Sequence, residues 1–192
     1  MSAPFLLHLL RHGAPELTGR MLGRTDSPVT AGGLAACVAR VKPLDFTGLV
    51  CSDLMRSQAI ADAIGWDRGL APTTDKRWRE LDFGDWDGLA AAEIDAAALQ
   101  QFWADPDGAP PPGGERWSDL VARITDAIED LTSETSLIVT HGGAIRAALK
   151  SLCGFGLREL WAFDLPYAAL VTLRIWPDRT AQIVALHTDP VS

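Results

Sequence analysis

Apolar positions change their period along this chain, and each change marks an element. Phe5 to Leu10 is apolar almost throughout, as expected for a strand buried on both faces of a parallel sheet. Leu34, Cys37, Val38 and Val41 recur at helical spacing, with Thr30 placed to cap the helix and Pro43 to stop it. Leu49 to Ser52 predicts a short strand, and a helix from about Leu54 to Ile64 is expected to end at Gly65. The alanine-rich stretch Ala90 to Trp103 predicts a helix, and Leu120, Val121, Ile124, Ile128 and Leu131 predict an amphipathic one. Ser136 to Thr140 then reads as a strand and Ala144 to Leu152 as a helix. Val171 to Trp176 and Thr180 to His187, around Pro177-Asp178, read as a closing pair of strands. Gly19 to Pro28, Arg77 to Gly88 and Asp105 to Gly114 lack either period and are expected to be loops. The last holds four prolines and three glycines and is expected to be an insertion or lid. This order of strands and helices is that of an α/β chain.

At 192 residues, 47% hydrophobic and 22% charged, the chain is expected to fold as one domain spanning 1–192. Cys37, Cys51 and Cys153 are odd in number and form no Cys-x-x-Cys pair, which argues against a disulfide framework, a zinc site or a thioredoxin motif. They are expected to be reduced, buried and structural. The start of the sequence lacks the basic region and cleavage site of a signal peptide, and no apolar run approaches the roughly 20 residues a membrane span needs. The chain is therefore expected in the cytoplasm, away from membranes. A net charge of −8 also makes nucleic acid an unsuitable partner, although it leaves room for a small cationic pocket. Nothing in the sequence fixes the oligomeric state, and a homodimer is compatible with it.

Two strands end alike. Phe5 to Leu10 delivers Arg11-His12-Gly13, and Ser136 to Thr140 delivers His141-Gly142-Gly143. Ligands in open α/β sheets bind at the carboxyl ends of strands, so both imidazoles are expected where a substrate lies. Arg56, in the first turn of the second helix, opposes the helix dipole; it is either an anion ligand or a solvated arginine. Of the four histidines, His8 and His187 sit within or at the end of a strand with no accompanying charge or glycine, and are read as structural. Two arginines and two histidines suit a dianionic phosphoryl group: guanidinium groups bind its oxygens while one imidazole attacks phosphorus, without a metal. Glu80, in the aperiodic loop, is the candidate acid for the leaving oxygen, with Asp82 next.

Rival chemistries miss on spacing. Asp85-x-Asp87-Gly88 has Phe83 where an EF-hand needs its first acidic ligand. Cys51 is followed by Arg56 after four residues, where a cysteine phosphatase needs five. Gly154-Phe155-Gly156 lacks the third glycine and the preceding strand of a dinucleotide-binding turn. A non-catalytic phospho-ligand binder would keep the cationic cluster but has no need of Glu80.

Taken in order, these segments resemble the histidine phosphatase superfamily, also called phosphoglycerate mutase-like. Leu10-Arg11-His12-Gly13 is similar to its signature, and Gly23-x-x-Asp26-x-Pro28-Val29-Thr30-x-x-Gly33 to the loop and helix start that follow it. Ser52-Asp53-Leu54-Met55-Arg56-Ser57-Gln58 resembles the segment holding its second phosphate-binding arginine. Arg79-Glu80-Leu81-Asp82-Phe83-Gly84-Asp85-Trp86-Asp87-Gly88 resembles its acid loop, and Val139-Thr140-His141-Gly142-Gly143 its second-histidine motif. The resemblance implies a three-layer α/β/α sandwich with a mostly parallel central sheet. It further implies a phosphohistidine formed on His12, phosphate binding by Arg11, Arg56 and His141, proton transfer by Glu80, and neither cofactor nor metal. The acid loop and Pro111-Pro112-Gly113-Gly114-Glu115 are similar to the small phosphatase branch that includes α-ribazole phosphatases. The partner implied is thus a small phosphorylated metabolite, with α-ribazole 5′-phosphate as candidate and mutase-type phosphoryl transfer as the lesser alternative. Substrate contacts are expected from Thr18, Arg24, Glu115 and Gly142, and specificity from Trp86 and the lid. The chain departs from the family at Ala14-Pro15, which stands where a Glu-Thr pair is common, and at Thr18, about where mutases carry asparagine.

Overall fold

The computed structural model describes residues 3–132 and 134–189. In chain order its strands are β1 (Phe5–Arg11), β2 (Gly48–Cys51), β3 (Thr73–Thr74), β4 (Ser136–Thr140), β5 (Leu170–Ile175) and β6 (Ala181–His187). The α-helices are α1 (Ala31–Val41), α2 (Met55–Arg68), α3 (Ala96–Ala104), α4 (Trp117–Glu129), α5 (Gly142–Cys153) and α6 (Leu157–Trp161). The six strands form one sheet in the order β3-β2-β4-β1-β5-β6. The first four of these run parallel, and β5 and β6 are antiparallel additions on the other side of β1. The expected α/β sandwich around a mostly parallel sheet is what forms.

Alternation along the central strands sorts side chains onto two faces. Leu7 and Leu9 of β1 and Ile138 of β4 pack with Ile124 and Ile128 of α4 and Ile145 and Leu149 of α5. Leu10, Leu137 and Val139, each one position out of phase, pack with Cys37 and Val41 of α1 and Ile60 and Ile64 of α2. A period of two therefore puts one helical layer on each face. Burying a leucine or isoleucine fully is worth about 1.5–3 kcal/mol, so these central residues dominate the core. Thr30 caps α1 as expected, its Oγ1 accepting from Gly33 N at 3.1 Å. Among the described residues no helix is long and apolar enough to cross a membrane.

Four expectations need correction. Helix α2 passes through Gly65 and ends at Gly69, which is left-handed at φ 67°. Gly65 is instead a point of close packing, since a Cβ there would stand 2.5 Å from the Leu70 carbonyl oxygen and 3.2 Å from Pro72. The alanine-rich stretch is not helical from Ala90: Ala91–Glu93 is one 3-10 turn, its Glu93 carboxylate accepting from Ala90 N at 2.8 Å. Asp95 then caps α3, accepting from Ala98 N at 2.8 Å. The short helix α6 follows the Gly154–Gly156 turn that ends α5, where no element was expected. Lastly, Cys37 and Cys51 are buried but Cys153 is half-buried, and all three are unpaired.

Candidate active site

Sheet register brings the two histidines together. In the parallel pair β1–β4, Leu10 faces Val139 and Arg11 faces Thr140, so the next residues out are His12 and His141. Their ring centroids lie 5.1 Å apart, and both residues are buried. The chain turns away at once: a Cβ on Gly13 would stand 2.1 Å from the Gly33 carbonyl oxygen, so only glycine lets this backbone cross the start of α1.

The two rings are bonded differently. His12 Nδ1 lies 2.7 Å from the Gly13 carbonyl oxygen, an acceptor, so Nδ1 carries the proton and Nε2 keeps its lone pair. His141 instead engages Nε2, with Ser52 Oγ at 2.7 Å and Ser57 Oγ at 3.3 Å, and its Nδ1 is buried without a partner. Burial, followed by the charges of Arg56 and Arg11, holds the His12 pKa well below the usual 6.5. Burial, Arg56, His12 and Arg11 do the same to His141. Both imidazoles are thus neutral near pH 7.

Arg11 donates to the Leu165 carbonyl and stacks 4.5 Å over Tyr167, while its Nε is buried without a partner. Arg56 is fully buried: its Nη2 donates to the carbonyls of Leu22 (2.8 Å) and Gly23 (3.1 Å), and its Nη1 to Thr25 (3.1 Å), leaving Nε free. It is no solvated surface arginine. Glu80 comes from the opposite wall, its Oε2 accepting from Gly143 N at 3.1 Å and its Oε1 from Leu81 N at 2.9 Å. A Cβ on Gly143 would stand 2.2 Å from Glu80 Oε1, so the second glycine of His141-Gly142-Gly143 is what admits the acid.

The acid loop is pinned from behind. Arg123 of α4 donates to the carbonyls of Arg79 (2.8 Å) and Glu80 (2.9 Å), and Glu115 holds Arg123 at 2.7 and 2.8 Å. Thr140 Oγ1 donates to the Trp78 carbonyl at 2.7 Å, and Arg79 forms a two-pronged pair with Asp53. The Asp105–Gly114 loop is tied to the same segment through Asp85 N to Pro112 O at 2.8 Å and Glu115 N to Asp82 O at 2.9 Å.

A cavity of about 220 Å³ opens over this cluster, lined at its inner end by Arg11, His12, Glu80, Gly142 and Gly143. Other predicted residues lie elsewhere. Thr18 is exposed and does not line the cavity. Arg24 pairs with Asp82 at 3.2 Å, and with Glu115 it borders a separate shallow depression. Asp82 is spent on Arg24 and on Gly84 N, outside the cavity. Trp86 is 8% exposed and packs edge-on to Phe102 in the core. Of the expected lid, Pro106 alone reaches the cavity wall. Burial pushes the Cys51 thiol up, away from nucleophilic use.

Sequence reasoning passed over Ser52, Ser57, Tyr167 and Arg146. The serines lie inside a motif already singled out for Arg56, and their pairing with His141 was the signal available. Tyr167 is the one tyrosine of the chain, and it sits 5.5 Å from the His12 ring. Arg146 lies one helical turn beyond Gly142.

Among the described residues no group of three or more His, Cys, Asp or Glu is placed to hold a metal ion. Arg11 and Arg56 place positive charge beside both histidines.

A 166-residue match, 32% identical, links the chain to a glucosyl-3-phosphoglycerate phosphatase of Mycolicibacterium vanbaalenii, covering 77% of this chain and 74% of that protein. The structure of a mycobacterial glucosyl-3-phosphoglycerate phosphatase superposes with a TM-score of 0.84 at 26% identity, covering 97% of this chain and all of that one. A putative α-ribazole-5′-P phosphatase of Escherichia coli shares the fold, with a TM-score of 0.85 over 98% of both chains at 24% identity. The family description that matches residues 7–188 is "Histidine phosphatase superfamily (branch 1)": this chain belongs to that superfamily and is a phosphomonoester hydrolase of the histidine phosphatase type.

Proposed function

We propose that His12 is the nucleophile, that Arg11, Arg56 and His141 bind the phosphoryl oxygens, and that Glu80 is the proton carrier. The observation that carries this is the 2.7 Å bond from His12 Nδ1–H to the Gly13 carbonyl, which leaves a neutral, unprotonated Nε2 at the cavity floor. In the first step Nε2 attacks phosphorus in line, the bond from phosphorus to the ester oxygen breaks, and protonated Glu80 gives its proton to the departing alcohol. In the second, water attacks the phosphohistidine while the Glu80 carboxylate takes its proton. The bond from phosphorus to Nε2 breaks, and inorganic phosphate leaves. His141, with Nε2 accepting from Ser52 Oγ–H, presents Nδ1–H to a phosphoryl oxygen. Fixed donors of this kind stabilise charge developing on the transferred group without reorganising.

The substrate in this reading is a small phosphorylated metabolite, with α-ribazole 5′-phosphate as the candidate favoured by the wording of the acid loop. The net charge of −8 is unsuited to nucleic acid, and three unpaired cysteines suit a reducing cytoplasm. Phosphate release from α-ribazole 5′-phosphate, glucosyl-3-phosphoglycerate and 3-phosphoglycerate, ranked by kcat/KM, tests the assignment. A first rank for α-ribazole 5′-phosphate supports it. Failure of an alkaline detergent quench, which preserves the acid-labile bond from phosphorus to nitrogen, to trap phosphoprotein in the first turnover would overturn the mechanism.

A further inference from the structure

Away from His12 the cavity changes character. Its outer wall is aromatic, formed by Phe83 and Trp117 with Phe102 and Trp103 of α3 and Trp161 of α6. Trp103 and Trp161 meet edge to face with centroids 5.0 Å apart, and they remain 42% and 43% exposed. Other tryptophans are exposed too, Trp66 at 92%, but Trp103 and Trp161 are the exposed indoles that line this cavity. The cations nearby are already engaged. Arg20 is held by Glu93 at 3.2 Å and by the Gly88 carbonyl at 2.7 Å. Arg146 donates to the carbonyls of Leu160 (3.3 Å) and Phe163 (3.1 Å), and its guanidinium lies 4.6 Å over the Trp161 ring. Arg146 therefore clamps α6 and covers one face of its indole.

We propose that Trp103 and Trp161 form a leaving-group subsite for a flat aromatic ring, so that the preferred substrates are phosphomonoesters whose alcohol part carries one. This rests on the hydrolase reading above and adds to it the residues that select the alcohol. An aromatic ring can stack on or meet these indoles edge-on, gaining on the order of tenfold in binding beyond the area it buries. A polyhydroxylated leaving group fares worse. A hydroxyl set against a ring face of this wall loses water without gaining a partner, at a cost on the order of tenfold or more.

The test compares kcat/KM for 2-naphthylmethyl phosphate, glycerol 3-phosphate and 3-phosphoglycerate. All three release an alkoxide, so their chemical steps make similar demands on the acid. The naphthylmethyl ester is expected to lead by at least about tenfold, through KM. Trp161→Ala and Trp103→Ala should each shrink that lead by about tenfold, and Trp161→Phe, which keeps a flat ring, should restore part of it. Should the alanine variants not fold, direct binding decides: 2-naphthylmethylphosphonate should bind the unaltered protein at least about tenfold more tightly than propylphosphonate. Equal or better turnover of 3-phosphoglycerate overturns the subsite while leaving the hydrolase intact, and points to Arg146 as a reader of carboxylate. An undiminished lead in folded Trp103→Ala and Trp161→Ala proteins also overturns it. If no ester is hydrolysed, p-nitrophenyl phosphate included, the hydrolase reading fails and takes the subsite with it.

Discussion

The ends of β1 and β4 are near copies in sequence and opposites in chemistry. Each is an apolar strand that delivers a histidine and then a glycine, and sheet register sets the two imidazoles side by side. What separates them is the nitrogen each ring has already committed. His12 gives Nδ1–H to the carbonyl of the next residue and keeps Nε2 as a lone pair; His141 engages Nε2 with a serine from the β2–α2 turn and keeps Nδ1 for a ligand. In the proposed mechanism one ring thereby attacks and the other donates. Burial and the same two arginines act on both, so the shared electrostatics do not assign the roles. The hydrogen-bond partner does.

The sharpest way to break this contrast is to remove one ring at a time. His12→Ala should abolish phosphoprotein formation and cut turnover on the order of 10³-fold or more, since nothing else at the cavity floor offers an unprotonated nitrogen. His141→Gln keeps the nucleophile and should still trap phosphoprotein, more slowly. Phosphoprotein in His12→Ala and none in His141→Gln would exchange the two roles.

Glu80→Gln should come next in size. If Glu80 protonates the departing oxygen, phosphorylation by an alkyl phosphate should slow on the order of 10²- to 10⁴-fold, and by p-nitrophenyl phosphate far less, because nitrophenolate leaves unaided. Single-turnover phosphorylation must be followed, since the variant also lacks the base that activates water. Equal slowing with both leaving groups would make Glu80 a positioning residue. Asp82 would not then replace it without moving, for it is held by Arg24 outside the cavity.

The shared electrostatics give a third test. Both histidines have pKa values held well below 6.5, so at mildly acid pH the unfolded chain takes up protons that the native protein refuses. The unfolded state then binds more protons, and stability must fall with pH. The loss begins as pH drops through 6.5, the ordinary histidine value, and continues down to the folded pKa values. Each ring contributes about 1.4 kcal/mol per pH unit in that window. His8, also depressed by burial, adds in the same direction. Denaturant unfolding at pH 7.5 and 5.5 should show the drop, and a His12→Asn/His141→Asn double variant should show much less of it. Equal stability of the unaltered protein at both pH values would contradict buried neutral imidazoles.

The sequence carried the histidines because their signal is local: a strand period, then imidazole, then glycine. The same holds for α1, α4 and β4, whose apolar spacing sits within the element itself. Gly65 misled because glycine ends helices and also permits close packing, and only the approach of Leu70 and Pro72 tells the two apart. The alanine run misled because propensity placed the helix start at Ala90, while Asp95 held the cap. Within the site, Arg24 and Glu115 carried the right chemistry but answer elsewhere: Arg24 to Asp82, far off in sequence, and Glu115 to Arg123, eight residues on in α4. Trp86 and Trp161 look equally available as letters. Packing buries the first and leaves the second at the cavity mouth.

The smallest expected effect bears most directly on what makes the two histidines differ. Ser52 Oγ lies 2.7 Å from His141 Nε2, and in the proposed mechanism its hydroxyl donates there, the arrangement that leaves Nδ1–H for the phosphoryl group. Ser52→Ala removes that donor, so Nε2 can take the ring proton itself and leave a lone pair facing the phosphate oxygens. Ser57 Oγ, at 3.3 Å, is placed to donate in its stead but at a longer distance. The loss should therefore be partial, about tenfold in phosphorylation rate, the size of one hydrogen bond of roughly 1.4 kcal/mol. Inorganic phosphate should inhibit less well by a similar factor. Ser52→Thr keeps a hydroxyl and should recover most of both. Nitrogen NMR of the imidazoles supplies the reading that a structural defect would not: the His141 ring should shift toward the Nε2–H form while His12, bonded to Gly13, stays as it was. If Ser52→Ala leaves the His141 tautomer and the phosphorylation rate unchanged, the partner does not set the role, and the difference between the two strand ends must come from their position alone.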